Sequence, residues 1–215
     1  MELNRRSLVK TAAAAGGAAV LASLGAASAQ AYEAASWMPE SWDAEADAVI
    51  IGYGAAGSAA AIDLADLGFT SLLIEKMDKE YAGGDCSVCG GYLTDGGFTP
   101  EGYRVSSLTG VDTAYAEAVV SVLNDACSYL VGLGVPLQDG IPVVASENGE
   151  PFGQVLYHVL EAAVEERADK ITVMYETPGI GLVQDPVTGE VLGVVAGSKE
   201  APIYLKANRG VVVAS

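Results

Sequence analysis

The segment DAVIIGYGAAGSAAAIDLADLGFTSLLIE, Asp47 to Glu75, admits very few folds. Ala46–Gly54 is an apolar run with β-branched residues that ends at glycine, as a buried parallel strand does. From Ala55 to Leu67, Ala, Ile and Leu recur on a helical period, and Gly68 closes the helix. Ser71–Glu75 is a second short apolar strand ending in an acid. Strand, helix and strand in this order predict an α/β fold built on a parallel sheet.

The turn between the first strand and the helix carries chemistry. Gly52, Gly54 and Gly57 make G-x-G-x-x-G directly after a strand and at the start of a helix. Gly52 permits the tight turn, and Gly54 lets a diphosphate approach the backbone, where helix N-terminal amides and the helix dipole stabilise negative charge. Gly57 and Ala61 let the helix pack close to the sheet. Glu75, at the end of the second strand, can accept hydrogen bonds from ribose hydroxyls. The spacing points to a dinucleotide, and both NAD and FAD use it.

The remainder alternates helices with short strands. Residues 112–133 read as a helix with Ala116, Val119, Val120, Leu123, Ala126, Cys127 and Leu130 on one apolar face. Gly134–Gly153 is rich in turn residues and reads as loop, and Gln154–Ala168 is another helix. Short strands follow at Thr172–Tyr175, Ile180–Gln184, Val191–Ala196, Ile203–Lys206 and Gly210–Ala214. DPVTGE, Asp185–Glu190, is a hairpin turn, so a small antiparallel segment joins the parallel sheet.

A second glycine-rich loop, Ala82–Gly97, bears on the choice of dinucleotide. Its pairs Gly83–Gly84 and Gly90–Gly91 leave the backbone bare shortly after the ribose acid. That suits FAD, whose larger body needs backbone contact near its ring. Here the chain resembles the fumarate reductase/succinate dehydrogenase flavoprotein group of FAD-dependent oxidoreductases, which includes urocanate reductases and 3-ketosteroid dehydrogenases. GYGAAG, IEK (Ile74–Lys76) and GGDCSVCGG carry the resemblance. So do GQVLYHVLEAAVEER, VMYETPGIGLVQDPVTGEVLGVVA and ANRGVVVAS. It covers roughly residues 46–215 and implies a Rossmann-like FAD-binding domain, incomplete at its C-terminus.

By that resemblance Gly52, Gly54, Ala56 and Gly57 surround the diphosphate. Glu75, with Lys76 beside it, holds the adenosine ribose. Asp85, Gly90 and Gly91 approach the diphosphate and flavin, and backbone near Gly179 meets the adenine. Asp85 stands where the family commonly carries Asn, Thr or Ser. The family's His-Arg-Pro stretch near bound fumarate has no counterpart in residues 143–153, which argues against fumarate itself. In that family a capping domain and a returning segment complete the site. Neither falls within this sequence, so no catalytic residue is assigned. The partners implied are FAD and either a separate C-terminal flavoprotein portion or an electron-donor protein. The alternative expectation is a non-catalytic, truncated nucleotide-binding fragment.

The first 29 residues form a separate object. NRRSLVK sets paired arginines before a mildly apolar run, Thr11–Gly25, and Ala27–Ala29 offers small residues for cleavage. This resembles a twin-arginine export signal, with contact to the membrane only in transit and a destination in the periplasm or cell envelope, the alternative being an uncleaved membrane anchor. Residues 30–45 read as a mature lead without a regular period. The net charge of -17 is concentrated outside the leader, where Arg5, Arg6 and Lys10 outnumber Glu2. An acidic body repels phosphate backbones, so nucleic acid is not expected as a partner.

Three further residue types invite chemistry. Cys86 and Cys89 form C-x-x-C. A glycine, not His, follows Cys89, which excludes haem attachment, and a zinc site lacks its second ligand pair. Two small packable side chains in a flavin loop is the plainer reading, with a redox pair or tight disulfide as the alternative. Cys127 lies on an apolar helix face. His158 is the single histidine, set among apolar residues on a helix, which points to structure and excludes any multi-histidine metal site. Tyr92 either approaches the flavin or lines a loop wall.

Overall fold

The computed structural model describes residues 38–93, 111–138, 143–146 and 149–215. The leader at 1–29, residues 30–37 of the lead and the end of the second glycine loop at 94–97 lie outside the described residues. The described elements are β1 (Ala44–Ile51), α1 (Ala55–Asp66), β2 (Ser71–Ile74), α2 (Gly84–Val88), α3 (Thr113–Gly132), α4 (Phe152–Glu165), β3 (Ile171–Met174), β4 (Gly179–Gln184), β5 (Val191–Gly197) and β6 (Pro202–Val213). No described helix is long and apolar enough to cross a membrane.

The strands form one six-stranded sheet in the order β3-β2-β1-β6-β5-β4. β3, β2, β1 and β6 run parallel, and β6, β5 and β4 form an antiparallel meander. Alternation along β1 sends Val49 and Ile50 to opposite faces. Ile50 joins a core with Tyr53, Ile62, Leu73, Leu160 and Val164, whereas Val49 joins Leu72, Ile74, Val194 and Leu205. α1 and α4 cover the first face. α4 buries Leu156, Tyr157, Leu160, Ala163 and Val164, the spacing of a single helical stripe. Arg167 forks onto Asp66, with Nε 2.6 Å from Oδ1 and Nη2 3.2 Å from Oδ2, and its Nη1 donates to the Ala163 carbonyl at 2.7 Å. The ends of α1 and α4 are thereby tied together.

α1 stops where the sequence places its stop. Gly68 is left-handed at φ 87°, the Phe69 N–H reaches the Leu64 carbonyl at 2.9 Å, and the Gly68 N–H reaches Ala65 at 2.9 Å. This paired closure puts Gly68 in the left-handed region, which glycine adopts without a Cβ penalty. α3 begins on Asp112, whose carboxylate accepts from the Tyr115 N–H at 2.8 Å. Ala116 is buried and most of the expected apolar face is half-buried, but Ala126 is exposed. The Asp185 turn forms as expected, with the Asp185 carboxylate accepting from Val187 at 2.7 Å and Thr188 at 3.0 Å.

Two local expectations change. Part of the second glycine loop is helical, forming α2, and its Cys86 N–H donates to the Gly83 carbonyl at 3.1 Å. The two C-terminal strands are one strand of 12 residues. Asn208 and Arg209 do not break it because the register slips between Ala46 and Ala48, which pair with Ala207 and Gly210. The extra residue is absorbed as a bulge. Arg209 at the bulge donates to Asp47 at 3.0 Å and lies 4.5 Å over the Phe69 ring. Backbone and side-chain bonds from Thr70, together with Arg209, hold the Asp47 carboxyl below its usual range.

Trp42, from the lead, packs on β5 where Gly193 leaves room. A Cβ on Gly193 would lie 2.2 Å from the Leu205 carbonyl and 2.6 Å from the Trp42 ring, while one on Gly210 would meet nothing within 4 Å. Gly193→Ala should therefore cost about 1–3 kcal/mol of stability, and Gly210→Ala should change it by less than about 0.5 kcal/mol. Denaturant midpoints of the two variants check this.

Candidate functional site

The tips of three strands build the floor of one cavity. The Gly52 N–H donates to the Ile74 carbonyl at 2.9 Å and the Ala214 N–H to the Ile51 carbonyl at 2.9 Å, so β1, β2 and β6 end at a common level. Gly52 turns the chain there at φ 103°, and a Cβ on it would lie 2.9 Å from the Ala214 carbonyl. α1 then starts from Gly54, which provides no side-chain cap. The first N–H groups of the helix have no acceptor within it. Close approach of helix to turn is obligatory, because a Cβ on Gly57 would fall 1.9 Å from the Gly52 carbonyl.

The cavity over this floor has a volume of about 710 Å³, within the usual span for a small-molecule site. Of the residues expected from sequence, Gly52, Gly54, Ala56, Glu75, Lys76, Asp85 and Gly179 line it. Gly57 lies beneath it as the packing contact just described. Gly90 and Gly91 stand outside the lining, Gly90 against Tyr92 and Gly91 against Phe152 and Val144. The two glycine bends face each other, since a Cβ on Gly54 would be 3.4 Å from the Gly83 carbonyl.

Glu75 is 6% exposed. Its Oε2 accepts from the Tyr53 N–H at 2.9 Å and its Oε1 from the Met77 N–H at 2.9 Å. Each oxygen keeps further acceptor capacity for a ribose hydroxyl. The opposite wall is stapled to the same strand end. The Thr177 N–H donates to the Glu75 carbonyl at 2.7 Å and the Glu176 N–H to the Met77 carbonyl at 2.9 Å, which sets Pro178 and Gly179 at the rim.

Cys86 and Cys89 both line the cavity and are free thiols. Burial pushes the Cys86 thiol up to about 11, with Cys89 adding to the rise, while the Ala55 N–H facing its sulfur pulls the other way. His158 is turned to the surface, where its Nδ1 lies 2.8 Å from Glu150 Oε1, and Tyr92 is exposed. Neither lines the cavity. Among the described residues no three His, Cys, Asp or Glu side chains are grouped to hold a metal ion.

The pattern of glycines gave no sign of Tyr53. It sits between Gly52 and Gly54 with its ring wholly buried, edge-on to Tyr157 at 5.6 Å and 6.1 Å from Tyr175. The signal was the aromatic residue inside the turn motif. Burial drives the Tyr53 and Tyr157 hydroxyls well above the usual tyrosine pKa, and neither hydroxyl has a hydrogen-bond partner.

A family profile described as an FAD binding domain matches residues 47–215. The chain belongs to this family of FAD-dependent oxidoreductases, and FAD is its cofactor. Over 109 residues it is 34% identical to digoxin reductase of Eggerthella lenta, a stretch covering 51% of this chain and 18% of that protein. Its fold is similar to that of 3-ketosteroid-Δ4-(5α)-dehydrogenase from Rhodococcus jostii RHA1, at 24% identity and TM-score 0.67, over 83% of this chain and 47% of the other. It is also similar to an open flavocytochrome c3 fumarate reductase, at 18% identity and TM-score 0.65, over 80% of this chain and 34% of the other. The chain thus spans under half the length of each of these relatives.

The donor set suits the cofactor. A helix amino end capped by a glycine, a side-chain-free gap between two bends and a pre-positioned carboxylate match a diphosphate joined to a ribose. Because the Tyr53 hydroxyl is buried without a partner, Tyr53→Phe should keep or raise stability, by about 1 kcal/mol. Denaturant unfolding of the FAD-free chain measures this, and a loss of stability would reveal a hydration partner for the hydroxyl.

Proposed function

We propose that this chain is the FAD-binding portion of an exported oxidoreductase acting on a carbon–carbon bond activated by a neighbouring carbonyl. The observation that carries the binding half is the meeting of the two glycine bends over the amino end of α1. There the Gly52, Gly54 and Ala56 backbone receives the diphosphate, with Gly57 packed beneath it, and Glu75 and Lys76 meet the adenosine ribose. Gly179 lies beside the adenine, and Asp85 belongs to the wall reaching toward the flavin, with Gly90 and Gly91 following it in sequence outside the lining. FAD, when bound, supplies hydride transfer. The chain positions that cofactor and excludes water from its diphosphate end.

The substrate class rests on the similar proteins. Their names concern digoxin, fumarate and a 3-ketosteroid. The last two place the bond to be reduced or oxidised next to a carbonyl. Fumarate itself is not favoured, because Val143–Gly153 lacks the basic stretch that would hold its carboxylates. No side chain of this sequence is assigned to proton transfer, and the electron donor and the remaining substrate groups are expected from partners.

Glu75→Ala and Glu165→Ala separate site from surface. Glu165 is an exposed partner of Lys79, 2.8 Å away, at a distance from the cavity. With both variants folded, Glu75→Ala should lose at least about tenfold in FAD affinity, the equivalent of one strong hydrogen bond, and Glu165→Ala should match the unaltered chain. Equal FAD retention by the two, read from flavin absorbance after gel filtration, would remove Glu75 from the site. For export, changing Arg5 and Arg6 together to Lys should hold the precursor inside the cell. Unimpaired release in a cell fractionation would refute the signal.

A further inference from the structure

Cys86 and Cys89 are not explained by nucleotide binding, which asks only for bare backbone in this loop. Their placement gives them a chemistry of their own. Cys86 lies inside α2, Cys89 is the residue that ends it, and the Cys89 N–H donates to the Cys86 carbonyl at 3.4 Å. A single turn closed in this way holds the two Cα atoms under about 7 Å apart, inside the span that a disulfide bridges. Cys86 also feels the charge of Cys89, so the thiols are electrostatic neighbours. They differ in access: Cys89 is exposed and Cys86 is half-buried. Both line the cavity, and the Cys86 sulfur faces the Ala55 amide at the amino end of α1.

We infer that Cys86 and Cys89 are a dithiol modification site that closes to a disulfide by exchange with a small-molecule disulfide when the cavity is empty, and that FAD seated there prevents the exchange. The inference about FAD rests on the cavity assignment made above; the inference about the thiols does not. The exposed Cys89 attacks first. Its sulfur bonds to one sulfur of the small disulfide, and the other leaves as a thiol carrying the Cys89 proton. Cys86 then attacks the Cys89 sulfur of the mixed disulfide and expels the second small thiol, which takes the Cys86 proton. Two protein thiols are oxidised and one small disulfide is reduced to two thiols.

FAD opposes both steps. Seated in the cavity that both cysteines line, it would restrict access to Cys89, and a diphosphate held at the amino end of α1 would disfavour a Cys86 thiolate by like-charge repulsion. The pair thereby registers whether the cofactor is in place. In an oxidising compartment an empty chain would be locked in its disulfide form.

The test uses the full chain, freed of FAD or reloaded, and oxidised glutathione as the small disulfide. Intact mass should show the FAD-free chain losing two hydrogens and retaining no glutathione. Cys86→Ser should stop with one glutathione on Cys89, Cys89→Ser should remain unmodified over the same time, and Cys127→Ser should close like the unaltered chain. A lasting glutathione adduct on the unaltered chain, a disulfide that includes Cys127, or two unreactive thiols would overturn the dithiol. With FAD at ten times its dissociation constant, closure should slow about elevenfold, the factor by which empty sites are depleted. Closure at an undiminished rate would leave the dithiol standing and overturn the placement of FAD in this cavity.

Discussion

Everything at the site depends on how closely α1 meets the turn that feeds it. With no Cβ at Gly57, the helix can rest against the Gly52 carbonyl, and that contact sets the amino end of the helix at the cavity. A helix amino end is an anion site only when its first N–H groups are uncovered. Gly54 meets that requirement by capping α1 without a side chain. Sheet order follows the same logic, since β1 must lie centrally, between β2 and β6, for three strand tips to share one floor.

The fold was largely legible in the residues. An apolar run ending in glycine marked β1 and one ending in an acid marked β2, and the Gly68 stop was evident in sequence because glycine enters the left-handed region of that closure without a Cβ penalty. The division of the sheet into a parallel part and a meander followed from the Asp185 turn. What escaped was local. Gly83 and Gly84 suggested loop, yet they lead into a short helix, because a left-handed glycine can start a helix as well as end one. The strands read from sequence also left a break between Lys206 and Gly210, where Asn208 and Arg209 are polar residues. The sheet instead absorbs them at a bulge whose Arg209 finds Asp47 and Phe69, partners remote in sequence.

At the site, most of the residues that the motif spacing singled out line the cavity, but the spacing could not identify the support behind them. Seven of the ten expected cofactor residues line the cavity. Gly57 acts from below, and Gly90 and Gly91 stand behind Tyr92, Phe152 and Val144. The buried Tyr53 and Tyr157 and the half-buried Tyr175, from the turn, α4 and the residue after β3, were invisible to periodicity, because their meeting depends on three separate elements. They give the nucleotide turn a stiff aromatic backing, where a row of aliphatic side chains would yield more readily.

Glu75 shows what such stiffness is for. Its carboxylate already grips the amides of Tyr53 and Met77, which belong to the loop after β1 and the segment after β2. The acid is therefore a latch between two backbone segments before any ligand arrives. A ribose that meets it finds both walls in place, and little chain freedom is left to be lost. The heat-capacity change on loading should then reflect the surface the nucleotide covers, with no added signature of a segment folding around it.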